Sequence, residues 1–221
     1  ILERMGFEQV VMPDFSSFKD MEPEEFVEKM LIQGMGAKEL SCGYDFTFGK
    51  GGAGTTETLC RVAERHGVKV NVVEPVTLDG EPVSSTRIRQ AILEGKMDEA
   101  SRMLGRRFCL RLKVEHGNCI GRLLDFPTIN QSFPQHHIVP RYGVYSTVVN
   151  VAGKLYGGVT NVGVKPTVGS DRPLSETYIL DYSGDLYGQT VEVYFFRFVR
   201  PEQKFSSIAE LKEQIARDKE D

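Results

Sequence analysis

The stretch Gly143-Val-Tyr-Ser-Thr-Val-Val-Asn-Val151, continued by Ala152-Gly153 and then Lys154 to Asn161, decides the fold of the second half of the chain. Two runs rich in β-branched and aromatic residues flank a two-residue turn containing glycine, which predicts a β-hairpin. Before it, Phe108 to Glu115 alternates as a strand. After it, Glu176-Thr-Tyr-Ile-Leu-Asp181 and Thr190 to Val199 read as two more strands, joined by a loop holding Gly184 and Gly188. Five or so strands with Gly- and Pro-rich turns predict a small closed or partly open β-barrel. Ser206-Ser207 then caps a predicted helix over Ile208 to Arg217, with Ile208, Leu211 and Ile215 on one face.

The first hundred residues alternate strand and helix signals. Phe7 to Met12, closed by Pro13-Asp14, reads as a buried strand. Glu22 to Gly34 carries Phe26, Val27, Met30 and Leu31 on a helical stripe, with Pro23 in its first turn. Lys38 to Cys42 and Val68 to Val73 read as strands. Between them lie a glycine-rich loop, Gly43 to Gly54, and a helix from Thr56 to His66. This order predicts a parallel sheet covered by helices. Helices opening at Ser84 and at Met97 follow, the second ending at Gly105. The change from helical to alternating pattern at Gly105-Arg-Arg-Phe108 predicts two domains, 1–105 and 106–221. The opening Ile1-Leu-Glu-Arg-Met-Gly6 reads as the end of a helix, with the expectation that an upstream part precedes it.

At 221 residues, 40% hydrophobic and 26% charged, the chain suits one large or two modest globular domains. A net charge of −4 argues against a non-specific nucleic-acid binder, which carries a basic face. Apolar runs fall short of a membrane span. Cys42, Cys60, Cys109 and Cys119 show no metal or redox spacing and read as idle thiols in a reducing compartment, which predicts the cytoplasm. His136-His137 precedes Pro140 without a third ligand nearby in sequence and reads as a loop pair.

Two stretches carry candidate chemistry. Gly121-Arg-Leu-Leu-Asp-Phe-Pro-Thr-Ile-Asn130 places Gly121 and Arg122, with Gly117 just before, ahead of a turn stiffened by Pro127. An arginine fork suits phosphate oxygens, and the Thr128 hydroxyl with the Asn130 amide carbonyl suits Mg²⁺ carrying nucleotide phosphates. Taken alone, the same residues more often form a plain β-turn between strands. Ser84-Ser-Thr-Arg-Ile-Arg89 opens a helix whose free N–H groups and dipole attract anions. It reads also as a plain cap with a charged first turn.

Taken in order, these motifs resemble the bacterial bifunctional riboflavin kinase/FMN adenylyltransferase (FAD synthetase) family over essentially the whole chain. The matches are Gly43-Tyr-Asp-Phe-Thr-Phe-Gly49, Ser84 to Arg89, His116-Gly-Asn with Gly121-Arg122, Phe126 to Asn130, and Pro140 with Gly143-Val-Tyr145. Asn161-Val-Gly163 with Pro166-Thr167, Glu176 to Asp181, Leu186-Tyr-Gly188 and Phe198 to Phe205 complete them. The resemblance implies an α/β plus β fold: a partial Rossmann-like nucleotidyltransferase domain, then a small Greek-key-type riboflavin kinase β-barrel with a C-terminal helix. It implies phosphorylation of riboflavin to FMN by ATP, adenylylation of FMN to FAD, and Mg²⁺ as cofactor.

By that resemblance Glu176 is the catalytic base. Thr128 and Asn130 hold Mg²⁺ and ATP phosphates, with Gly117, Gly121 and Arg122 in the phosphate loop. Arg200, Phe205 and Leu211 lie near the flavin, which Glu176 also meets. Asp45, Thr47, Phe48, Ser84, Ser85, Thr86 and Arg89 bind nucleotide in the adenylylating half. The family's His-x-Gly-His motif is expected upstream of Ile1, so poor adenylylation is expected of the chain as it stands. Tyr178 stands where the family commonly has His, Lys165 where Arg is common, and Asp125 and Leu112 where Gly is usual. These departures bear on affinity, and they keep open a second reading, a catalytically weakened flavin-binding regulatory protein. A split-barrel flavin oxidoreductase suits the β half but leaves the hydroxyl-rich helix start unexplained. The partners implied are small molecules, without nucleic acid or membrane; the oligomeric state stays open.

Overall fold

The computed structural model describes residues 2–116, 128–164 and 172–203. The chain divides into two compact units, Ile1–Val76 and Thr77–Asp221.

In the first unit a short 3-10 helix, Glu3–Met5, closes on Gly6, whose φ of 86° suits glycine. Pro23–Glu25 (α1) runs directly into a π-helical segment, Phe26–Gly34. Strand β1 (Glu39–Gly43) pairs in parallel with β2 (Lys69–Val73), and α2 (Thr56–Arg65) connects them. Thr55 caps α2, its hydroxyl accepting from the Thr58 N–H. Leu59 and Val62 of α2 pack with Val27 and Phe48 into one core, against which Leu40, Cys42 and Val70 of the strands lie half-buried. The opposite strand face, with Ser41 and Asn71, is exposed.

The expected strand over Phe7 to Met12 does not form. The segment is irregular and exposed, Met12 to 88%. A strand needs a hydrogen-bonding partner, and among the described residues β1 has β2 alone as its neighbour.

The second unit begins with a small hairpin, β3 (Thr77–Leu78) with β4 (Glu81–Pro82), and two helices, α3 (Ser85–Leu93) and α4 (Met97–Leu104). Gly105 ends α4 in the left-handed conformation. Six antiparallel strands follow: β5 (Phe108–Lys113), β6 (Thr128–Ser132), β7 (Gly143–Val151), β8 (Lys154–Val164), β9 (Pro173–Ile179) and β10 (Thr190–Arg200). Their order is β5-β10-β7-β8-β9-β6, a half-barrel. The predicted hairpin is β7–β8, with Val151 opposite Lys154 across Ala152-Gly153. The expected strand at Glu176 starts earlier, at Pro173.

Among the described residues the two edges of this sheet touch at one isolated bridge, without a continuous ladder. Glu115, just past β5, bridges Asn130 of β6, its N–H donating to the Asn130 carbonyl at 2.8 Å. The fully buried Gln131 strengthens the seam, its Nε2 donating to the carbonyls of Leu112 (2.7 Å) and Val191 (3.0 Å). Alternation along the strands sends Leu110, Tyr145, Val149, Val162, Ile179, Val193 and Phe195 inward. Ala91, Ile92, Met97, Ala100 and Met103 of α3 and α4 belong to that same core.

Cys109 on β5 is expected to react slowly as a thiol. Burial chiefly, and then the Glu192 carboxylate, push it up to about 11. At pH 8 roughly one molecule in a thousand then carries the thiolate, so iodoacetamide should label Cys109 slowly in the folded protein and quickly once it is unfolded. Peptide mapping after timed labelling measures this; equal rates would sink it. The sign for stability follows: the unfolded thiol ionises near 8.5 while the folded one resists, so this group costs stability as pH rises from about 9 towards 11.

Candidate active site

Register places the candidate site residues of the β half in one row. Asn130 of β6 lies opposite Glu176 of β9, and Glu176 lies opposite Asn161 of β8. Asn161 in turn faces Val144 of β7, which faces Arg200 of β10. The row thus runs amide, carboxylate, amide, valine, guanidinium across five strands. Thr128, two residues before Asn130, shares its face and pairs with Tyr178. All of these except the buried Val144 are half-buried, so their polar ends are reachable from one side.

The reverse side of the same strands is closed. Ser175 and Thr177, flanking Glu176, are fully buried. Hydroxyls of Thr147, Thr160 and Thr177 form a chain across β7, β8 and β9, each link 2.9 Å. This interior polar chain locks the three strands in register, and so holds the Glu176 backbone against sliding. At the other end, Ser132 donates to the Glu115 carboxylate at 2.5 Å, pinning β6 to the segment after β5.

Two motifs far apart in sequence meet beside that seam. The Val114 N–H donates to the Gln189 carbonyl and the Gly188 N–H to the Val114 carbonyl. The rings of His116 and Tyr187 stack there, with centroids 3.9 Å apart and planes 19° from parallel. His116 therefore starts the glycine-rich stretch from an aromatic anchor.

Arg200 is followed by Pro201-Glu202, and Glu202 folds back onto β8. Its Oε1 accepts from Asn161 Nδ2 at 3.2 Å, and its carboxylate occupies the space where a side chain on Gly163 would stand.

In the first unit, the loop after β1 carries Asp45 and Thr47, both exposed. Phe48 differs. It is 6% exposed, packs on Phe26 and Phe46 at centroid distances of 5.5 and 5.3 Å, and pairs through its backbone with Gly54. Its ring would overlap any side chain at position 54. Phe48 thus anchors the loop while Asp45 and Thr47 face solvent.

In the second unit, Ser84 caps α3, its hydroxyl accepting from the Arg87 N–H at 3.2 Å. Arg87 turns away to the Glu81 and Pro82 carbonyls, at 2.9 and 2.7 Å. Ser85, Thr86 and Arg89 remain exposed around the helix start. Among the described residues no group of three or more His, Cys, Asp or Glu could hold a metal ion. An oxygen site built from Thr128, Asn130 and a ligand's phosphates is a different donor set.

Comparison with known proteins shows the family. The riboflavin kinase family model matches residues 104–221 and the FAD synthetase model residues 1–87. A bifunctional riboflavin kinase/FMN adenylyltransferase of Listeria monocytogenes is 32% identical over the whole chain, covering 70% of that relative. One of Pseudomonas fluorescens is 36% identical over 96% of the chain and 69% of its own length. The chain belongs to the bifunctional riboflavin kinase/FMN adenylyltransferase family.

A crystal structure of a protein from Streptococcus pneumoniae, named as a macrolide-efflux protein, shares the fold of this family member. It is 35% identical with a TM-score of 0.88, over 99% of this chain and 71% of that one. Among the described residues no helix is long and apolar enough to cross a membrane.

Of the site residues expected from sequence, the structure brings Thr128, Asn130, Glu176 and Arg200 onto one face. It sets Asp45, Thr47 and Phe48 in one loop and Ser84, Ser85, Thr86 and Arg89 at one helix start. Gly117, Gly121, Arg122, Phe205 and Leu211 lie outside the described residues, as do Asp125, Lys165 and the expected C-terminal helix. Sequence reasoning gave no role to Asn161 or Glu202. The available signal was an amide set in the apolar run Val159 to Val164, which a half-buried strand face tolerates only with a partner.

Proposed function

We propose that this chain is a transferase of flavin cofactor biosynthesis whose β half phosphorylates riboflavin to FMN with ATP. The single observation that carries the reading is the Asn130–Glu176–Asn161 row, a carboxylate between two amides on a rigid three-strand platform. Family membership supplies the substrates. The first part of the chain corresponds to the FMN-adenylylating half: in the first unit Asp45 and Thr47 are proposed nucleotide contacts on the loop that Phe48 anchors, and in the second unit Ser84, Ser85, Thr86 and Arg89 are proposed nucleotide contacts at the start of α3.

In the kinase reaction Glu176 takes the proton of the ribityl 5′-hydroxyl as its oxygen attacks the γ-phosphoryl group, whose bond to the bridging β-phosphate oxygen breaks and releases ADP. Thr128 and Asn130 offer a hydroxyl and an amide carbonyl on the same face, a hard-oxygen pair that suits Mg²⁺ shared with ATP phosphates. Bound there, the ion would neutralise charge on the transferring phosphoryl. Gly117, Gly121 and Arg122 are the proposed phosphate loop, and Arg200, Phe205 and Leu211 the proposed flavin neighbours. Tyr178, opposite Thr128, puts a phenol where the family commonly has imidazole.

The same reading includes a Rossmann-like arrangement for β1–α2–β2, a Greek-key connection within the half-barrel, a functional division near Gly105, and residence in the cytoplasm. The parallel β1–β2 pair joined by α2 supports the first. The start of the kinase family match at residue 104 supports the third.

Incubating the chain with riboflavin and Mg²⁺-ATP and following FMN by chromatography tests the proposal. FMN is expected with Mg²⁺ and none when EDTA removes it. Flavin binding without FMN would overturn the kinase reading.

A further inference from the structure

We propose that Asn161 is a substrate-orienting residue for the ribityl chain, and that Glu202 positions it. The inference rests on the kinase reading and names a part of that site with no role so far. Three observations carry it.

Asn161 stands at the same register as Glu176 on the neighbouring strand, so the two side chains project side by side from one face. Asn130 flanks the carboxylate on the other strand. The phosphate-holding residues therefore crowd one flank of Glu176, and Asn161 commands the other, where the accepting hydroxyl must come from.

The amide of Asn161 has one orientation. A carboxylate only accepts hydrogen bonds, so the amide nitrogen is the end that faces Glu202, at 3.2 Å. The carbonyl oxygen is thereby turned away from Glu202 and serves as an acceptor for a donor beside Glu176. A polyol supplies such donors: one hydroxyl to Glu176 and the next along the chain to Asn161.

Gly163 makes room for this contact. A Cβ there would overlap the Glu202 carboxylate, and Gly163 itself has no left-handed backbone conformation to demand glycine. The obstacle is the movable end of an exposed side chain, so alanine would displace Glu202 without straining the fold.

Steady-state FMN formation, with riboflavin and ATP varied separately, tests the pair in the full chain. Glu202→Ala should raise KM for riboflavin about tenfold, the size of one neutral hydrogen bond between Asn161 and the substrate, and leave KM for ATP within about twofold. Glu202→Gln keeps an acceptor at the same place and should restore riboflavin KM. In an Asn161→Ala background, Glu202→Ala should add nothing, because Glu202 acts through Asn161. Gly163→Ala should melt like the parent and show the riboflavin KM of Glu202→Ala. Additive effects of Asn161→Ala and Glu202→Ala, or an unchanged riboflavin KM in Glu202→Ala, overturn the inference while the kinase reading stands. A parent chain that makes no FMN overturns the kinase reading and this inference with it.

Discussion

Glu176→Gln is expected to lower FMN formation by about 10²–10⁴-fold, equivalent to roughly 3–5 kcal/mol on the barrier. The substitution preserves shape and hydrogen-bonding length but removes the basic oxygen. The β6–β9–β8 register that holds position 176 depends on backbone pairing and on the buried hydroxyl chain behind it, neither of which the amide disturbs. The variant should therefore melt with the parent and bind Mg²⁺-ATP and riboflavin with little change, the loss appearing in kcat. Single-turnover measurement of phosphoryl transfer at saturating substrates isolates that step. Equal single-turnover rates for parent and variant would remove Glu176 as the base.

Phe195→Ala is expected to cost about 3–5 kcal/mol, a large share of the 5–15 kcal/mol typical of a folded domain. Phe195 is fully buried at the centre of β10. Its ring meets Tyr145 edge-on at 5.1 Å and Phe108 at 5.6 Å, joining three strands at one point. Tyr145 is itself tied to the Arg141 carbonyl by its hydroxyl, and burial pushes that phenol well above its ordinary ionisation range. Neighbours held in this way relax little into a cavity, which places the cost towards the upper part of the range. Urea unfolding followed by tyrosine fluorescence and circular dichroism measures it. An unchanged midpoint would show that the β7–β10 core closes over the deleted ring.

These two effects mark what could and could not be read in advance. Period-two alternation and the Ala152-Gly153 turn were sufficient for the β7–β8 hairpin, because both are local properties of the chain. The helix cap at Ser84 was legible for the same reason. The buried strand expected over Phe7 to Met12 was not realised, since an apolar run becomes a strand only when another strand is beside it. Thr128, Asn130 and Glu176 were recognisable as chemistry-bearing residues by their motifs, while their mutual placement was not.

By itself the sequence determined the β7–β8 hairpin, the α2 and α3 helices, and which residue types are available for phosphate, metal and proton chemistry. These follow from side-chain periodicity and turn residues acting over a few positions. Only the tertiary structure decided that Asn130, Glu176 and Asn161 share one row, because antiparallel register joins residues 46 and 15 positions apart through backbone hydrogen bonds that no local pattern encodes. It alone turned Phe48 inward as an anchor, through the close approach of Gly54. It alone brought Glu202 back over Gly163 to hold Asn161, a contact made where the ends of two strands distant in sequence meet.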